Sequence, residues 1–175
     1  QFVCGVLGQL GSSTLNGSTN TGDVTGTVSV GGAVGVANGT STLTNVKQFG
    51  DAKGSSNVGG IVGEIQTSSS VSFSGCQSKG EISNTGNYTG GIVGLSDGCN
   101  IADMQDCSHF GDISGKGYVG GLIGCVGAED EPRPIYYGST SSTTNTKTWT
   151  STSTVEVGNT ITRQVNNCTA IGNIT

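Results

Sequence analysis

The sequence predicts an all-β fold: a single-stack β-solenoid of about five coils of 27–31 residues, with a β-hairpin inserted in the last coil. Three observations predict it. The segment Val58-Gly59-Gly60-Ile61-Val62-Gly63 recurs as Val3-Cys4-Gly5-Val6-Leu7-Gly8, Val30-Gly31-Gly32-Ala33-Val34-Gly35, Thr89-Gly90-Gly91-Ile92-Val93-Gly94 and Val119-Gly120-Gly121-Leu122-Ile123-Gly124. Its copies begin at 3, 30, 58, 89 and 119, so they lie 27, 28, 31 and 30 residues apart. A fixed period in this range marks a solenoid, a propeller or an array. A second marker keeps the same phase: Gly22-Asp23-Val24, Gly50-Asp51-Ala52, Gly80-Glu81-Ile82, Gly111-Asp112-Ile113 and Gly172-Asn173-Ile174. Finally, no segment repeats apolar residues at i, i+3, i+4 and i+7 over a helical length, and even Asp97 to Asp106 falls short.

Composition agrees with thin apolar rungs. The chain has 175 residues, 32 of them Gly and only 2 Pro, which excludes collagen. Apolar residues make up 32%, low enough to suggest disorder were they not spaced at the repeat period. In a solenoid each rung needs only a narrow apolar stripe, because its neighbours complete the core. The formal charge of −5, with seven Lys and Arg, leaves no basic patch for nucleic acid or anionic lipid. No apolar run reaches the length of a membrane span. No basic n-region precedes an apolar h-region, so no signal peptide is expected. Gln1, almost on top of a repeat, suits a processed terminus or a cut fragment.

Taken in order, residues 1–126 hold four repeats and the opening of a fifth. Short alternating runs such as Val71-Ser72-Phe73 and Glu81-Ile82-Ser83 read as strands joined by Gly, Ser and Asn turns. The glycines at the third and sixth positions of each VGGIVG copy require either a positive φ at a corner or close backbone approach. The fourth and fifth positions should stack as columns, Val6-Ala33-Ile61-Ile92-Leu122 and Leu7-Val34-Val62-Val93-Ile123. With rungs about 4.8 Å apart, five and a half of them give a rod roughly 25 to 30 Å long. An insertion at about 127–165 interrupts the fifth coil. Within it, Thr148–Val157 and Thr160–Val165 flank Gly158-Asn159, a signal for a hairpin with a two-residue turn. The repeat is expected to resume at Asn167-Cys168, and Ile174-Thr175 to end half a coil.

The VGGIVG copies, with downstream Gly75-Cys76 or Asn167-Cys168 and then Gly-Asp/Glu-Ile, resemble the GLUG motif. That repeat occurs in large secreted and cell-surface proteins, including adhesin-like proteins and non-catalytic parts of some immunoglobulin A peptidases. The resemblance covers roughly 3–126 and 165–175. It implies a β-solenoid on a surface protein and brings no catalytic residues. Cys4 in place of Gly departs from the pattern, and the insertion has no counterpart in it.

Several groups of residues are candidates for chemistry. Cys76, Cys107 and Cys168 share one phase and should stack inward, as small apolar fillers or as a bridged pair. Cys99 and Cys125, on neighbouring rungs near one corner, form a candidate disulfide, which leaves Cys4 for a contact between chains or with a missing segment. No CxxC spacing suggests zinc. Asp23, Asp51, Glu81 and Asp112 form a like-charged column that reads as a solvated face or, less simply, as a calcium site. Sequons at Asn16, Asn38, Asn87, Asn167 and Asn173 are candidate N-glycosylation sites, and the Ser/Thr run in the insertion could carry O-linked sugar. The alternating threonines from Thr146 to Thr154 occupy one segment, whereas an ice-binding face would need them on several rungs. His109, the sole histidine, sits in the repeat as a structural residue, so no triad is indicated and no enzyme is expected.

The function expected is therefore a non-catalytic extracellular or cell-surface structural protein, without cofactor or metal, that joins end to end into a filament. Its partners would be copies of itself and, in second place, glycans; no nucleic acid or membrane insertion is expected. One alternative is a fragment or stalk of a larger cell-surface adhesin. Another is carbohydrate binding or cleavage, with Tyr136, Tyr137 and Trp149 as stacking platforms for glycans.

Overall fold

A computed structural model describes residues 2–98, 101–127, 152–156 and 162–175, with backbone pairing alone for 152–156 and 162–165. Each coil visits five parallel sheets in turn. In the third coil the strands are Ser56–Gly59, Val62–Ile65, Ser70–Ser74, Gln77–Lys79 and Ile82–Asn84. We call these faces one to five. Every strand of this coil pairs in parallel with the strands one coil before and after it, so that Val62 stands between Val34 and Val93. Face one stacks five strands, and the chain makes about four turns between its first rung and its last. At about 4.8 Å per rung those four spacings span about 19 Å. The described residues contain no helix; the stretch nearest to a helical pattern supplies the strand Ile101–Gln105.

The fourth and fifth positions of VGGIVG stack as the repeat predicts, with Ala33, Ile61, Ile92, Val34, Val62 and Val93 all inaccessible to solvent. They belong to the larger of two cores, which faces two, three and four enclose together with Leu43, Phe73 and Met104. A second, narrower core lies between faces one and five and holds Val30, Val58, Ala52, Ile82 and Ile113. Burying one Ile side chain contributes about 2 to 3 kcal/mol. The regular stacking therefore multiplies a modest stripe into a stable rod.

Close approach, and not corner geometry, explains the VGGIVG glycines of the inner coils; Gly8, on the first rung, has open space at its Cβ position. None of the VGGIVG glycines has a positive φ. A Cβ on Gly94 would stand 2.7 Å from the Val58 nitrogen, and one on Gly60 would collide with the Gly91 carbonyl and the Ser78 hydroxyl. Faces one and two thus fold back on each other at backbone contact. Left-handed residues lie elsewhere: in face one at Ser29, Asn57, Tyr88 and Tyr118, and at a corner between faces three and four at Gly17, Asn45, Gly75, Asp106 and Asn167, with φ of 69°, 52°, 62°, 53° and 51°. The corner residues are of the types that tolerate that region.

The last coil departs from expectation in two ways. The run Thr162–Asn166, expected within the insertion, is also the face-three strand of the coil, since Asp103, Met104 and Gln105 pair with Gln164, Val165 and Asn166. Thr152–Glu156 then pairs antiparallel with it, as a hairpin requires, but Glu156 lies opposite Thr162. A two-residue Gly158-Asn159 turn would place Glu156 opposite Ile161, so the register is one residue away from that expectation; the turn residues lie outside the described residues. The first strand, Val3–Cys4, also lies on face one, and Ile174 reaches face five, where it bridges Ile113. The two ends are therefore flush coil ends and not complementary halves.

Candidate functional site

The repeat creates three kinds of surface: columns inside the coil, columns outside it, and the coil's two open ends. The inner cysteine column lies just past the left-handed corner. Cys76, Cys107 and Cys168 are buried free thiols. The Cys107 amide donates to Cys168 Sγ at 3.4 Å and the Cys107 thiol to the Gln105 carbonyl at 3.2 Å. The neighbouring thiols, Cys168 first and then Cys76, with burial behind them, hold the Cys107 pKa far above the ordinary thiol range. Cys125 is buried on Ile123–Val126, in register with Leu95, while Cys99 lies outside the described residues. Cys4 is partly exposed in the first rung, opposite Gly31.

A second inner column is polar. Face four turns Gln48, Ser78 and His109 inward in register, and each is fully buried at the waist between the two cores. They fit there because Gly32, Gly60 and Gly91 opposite them lack side chains; a Cβ on Gly91 would stand 2.6 Å from His109 Cβ. Gln48 Nε2 donates to the carbonyls of Gly22 and Gly50 at 3.2 and 3.0 Å, and its Oε1 accepts from Asn20 Nδ2 at 2.8 Å. His109 Nε2 lies 3.1 Å from the Gly111 carbonyl, which assigns the proton to that nitrogen. Its Nδ1 is buried without a partner. Burial pushes its pKa down to about 4. This histidine spans the waist of the rod, in phase with the repeat and in register with Ser78.

The acidic column has a structural use. Asp23 Oδ1 accepts the Asp51 amide, Asp51 Oδ1 accepts the Glu81 amide, and Asp112 Oδ1 accepts the Asn173 amide, each at 2.9 Å. Each carboxylate thus satisfies a backbone donor one rung further on, where the Gly column crowds the chain. Lys53 lies 3.2 Å from Asp51 and 3.9 Å from Glu81, relieving part of the repulsion. The Glu81 amide holds the Asp51 pKa below its ordinary value; burial opposes it, and Lys53 adds to the lowering. Among the described residues no three His, Cys, Asp or Glu side chains are grouped to hold a metal ion.

Of the sequon asparagines, Asn16, Asn87, Asn167 and Asn173 are exposed, and Asn38 is half-buried. Asn167 Nδ2 donates to Asp106 at 2.5 Å, Asn173 Nδ2 to Asp112 at 3.1 Å, and Asn38 Nδ2 to Gln66 at 3.3 Å. Outside the coil, Lys79 sits over the rings of Phe49 and Phe110, at 5.3 and 5.9 Å from their centres. Tyr88 and Tyr118 stack with centroids 5.3 Å apart. Tyr136, Tyr137, Trp149 and the threonines from Thr146 to Thr150 lie outside the described residues.

The two ends differ. At the N-terminal end all five sheets finish, among the described residues, on a strand with one edge unpaired: Val3–Cys4, Leu7–Gly11, Thr14–Asn16, Thr19–Asn20 and Val24–Thr25. Phe2 and Val6 are 47% and 37% exposed there, although Val6 heads the column in which Ile61 is fully buried. At the other end, face three finishes on the antiparallel strand Thr152–Glu156 and face four on Thr169–Ile171. Among the described residues no helix is long and apolar enough to cross a membrane.

Sequence reasoning missed the left-handed corner and the buried polar column. Both had a signal: the residue before each cysteine-phase marker is always Gly, Asn or Asp, and the residue two after it runs Asn20, Gln48, Ser78, His109, Ala170. The geometry defines the molecule as a parallel β-solenoid with a double core. No protein-family model, curated protein or solved structure matches the chain.

Proposed function

We propose that this chain is a non-catalytic extracellular structural subunit that joins to copies of itself by stacking coil on coil. The supporting observation is the N-terminal end, where five strand edges, Phe2 and Val6 surround the open mouths of both cores. Unpaired edges of this kind template further strands, and natural solenoids need them capped. A second copy presents Ile123–Val126 in the repeat position equivalent to Val34–Asn38, the strand against which Leu7–Gly11 already packs. A head-to-tail contact of this kind does not close on itself and propagates as a filament. The resemblance to GLUG repeats supports the surface location, and the exposed sequons suit a glycosylated face.

The same bare edges would suit a piece of a longer stalk, whose next coil would sit where a second copy sits here. Negative-stain microscopy of the purified chain separates the two. Regular filaments are expected, and the charged double variant Phe2→Asp, Val6→Lys should abolish them while the circular dichroism spectrum stays that of a β-protein. Single short rods from the unaltered chain, or filaments indifferent to the double variant, overturn the assembly.

A further inference from the structure

We infer that the buried thiol ladder Cys76–Cys107–Cys168 is a disulfide site that holds one bond at a time, always through Cys107. The inference rests on the proposal of an extracellular protein only in that such a compartment supplies the oxidant. Three geometric facts carry it. The three thiols occupy successive rungs, because Ser108 pairs with Gln77 on one side and Thr169 on the other, immediately after each cysteine. Adjacent rungs of a parallel stack lie about 4.8 Å apart, inside the Cα range that a disulfide spans. Cys76 and Cys168 are two rungs apart, about 9.6 Å, and cannot be joined without moving the backbone. Three thiols in a row with one shared partner allow one bond and leave one thiol.

The oxidant is a small disulfide such as oxidised glutathione. A cysteine thiolate attacks one of its sulfurs, forming a mixed disulfide and releasing one glutathione thiolate. The neighbouring thiolate then attacks the cysteine sulfur of that mixed disulfide and releases the second. Two cysteine protons pass to the two glutathione thiolates, so two electrons move from the protein to the oxidant. In the folded coil the ladder is sealed, with Cys76 and Cys107 fully buried, so this step belongs to folding, before the rungs close. Afterwards the bond can shift without any oxidant. The third thiolate attacks Cys107 Sγ along the column, displaces the far cysteine, and that cysteine takes up the proton. In the open chain the shorter span favours Cys76–Cys107 over Cys107–Cys168: spans of 31 and 61 residues differ about threefold in closure probability.

The test is to fold the chain in a glutathione redox buffer, unfold it in acidic urea with a thiol-blocking reagent present, digest without reduction and map the linked peptides. The expected result is Cys107 linked to Cys76 or Cys168, with the remaining member alkylated. Cys107→Ala should leave both Cys76 and Cys168 alkylated, whereas Cys76→Ala should retain the Cys107–Cys168 bond. Three alkylated thiols in the unaltered chain, or a Cys76–Cys168 bond in any form, overturns the inference; because mapping reads the unaltered chain, a variant that fails to fold does not shield it. Failure of the extracellular proposal would look different: the chain would be found in a reducing compartment yet would still form the bond in the redox buffer.

Discussion

Replacing His109 with Gln should remove most of the acid sensitivity of the rod between pH 7 and 4.5. In the folded coil His109 is neutral because burial opposes the imidazolium, and its pKa falls from 6.5 to about 4; the Gly111 carbonyl and, more weakly, Asp112 act in the other direction. A second proton would go to Nδ1, which is buried and has no acceptor. The sign follows from linkage. The unfolded chain takes up the proton near pH 6.5 and the folded one only near 4, so His109 costs nothing above pH 7 and progressively destabilises as pH falls through that window. Each tenfold difference in proton affinity between the two states is worth about 1.4 kcal/mol, so about 2.5 kcal/mol is lost by pH 4.5. Gln is the right replacement because Gln48 fills the same column two coils earlier, donating to the carbonyls of Gly22 and Gly50. Placed at 109, it should find those of Gly80 and Gly111. The assay is urea unfolding followed by circular dichroism at pH 7 and 4.5. Asp51 does not confuse the reading, since its depressed pKa makes its contribution fall away only below about 3.8. A variant that loses as much stability as the unaltered chain over that range would refute the assignment of a neutral, buried imidazole.

Three further changes probe the other columns. Gly91→Ala should cost more than about 3 kcal/mol, or prevent folding, because the added methyl would meet His109 and the Gly121 carbonyl; a thermal melt within a few degrees of the unaltered chain would contradict the waist. Asp51→Ala should cost about 1 kcal/mol by orphaning the Glu81 amide, whereas Asp51→Asn keeps an acceptor and should lose less; equal losses in urea titrations would deny the amide its role. Asn45→Gly should leave stability unchanged or raised while Asn45→Val costs about 1 to 2 kcal/mol, because only the former suits a φ of 52°; the reverse order would contradict the left-handed corner.

The fold was legible because one constraint recurs on every rung. Ile61, Ile92 and Leu122 differ in sequence surroundings but share a phase, and the period between them needs no knowledge of contacts. The glycines of VGGIVG were legible as necessary but not as to cause, since a sequence cannot tell a corner from a sheet touching another sheet. The structure decides it: none of these glycines has a positive φ, and from Gly31 to Gly94 the backbone of a neighbouring strand fills the space, whereas Gly8, on the first rung, has nothing near its Cβ position. The end of the insertion was illegible for a related reason. Thr162–Asn166 serves two partners at once, Ile101–Gln105 in parallel and Thr152–Glu156 in antiparallel, and an alternating run reads the same in either role.

The columns also show why the repeat tolerates so much variation. Asn20, Gln48, Ser78, His109 and Ala170 are chemically unlike, yet each occupies the same register position on face four. Where Gln48 succeeds with three hydrogen bonds, Ser78 and His109 each leave a buried atom unpaired, so later coils lose stability at a position the second coil fills well. The same logic applies at the N-terminal rung. Val6 obeys the column of Ala33, Ile61 and Ile92, but no described rung lies beneath it, and a residue of the core pattern is left exposed. An exposed side chain of the core pattern beside unpaired strand edges is the reason the proposed joint is placed there and not on the outer faces.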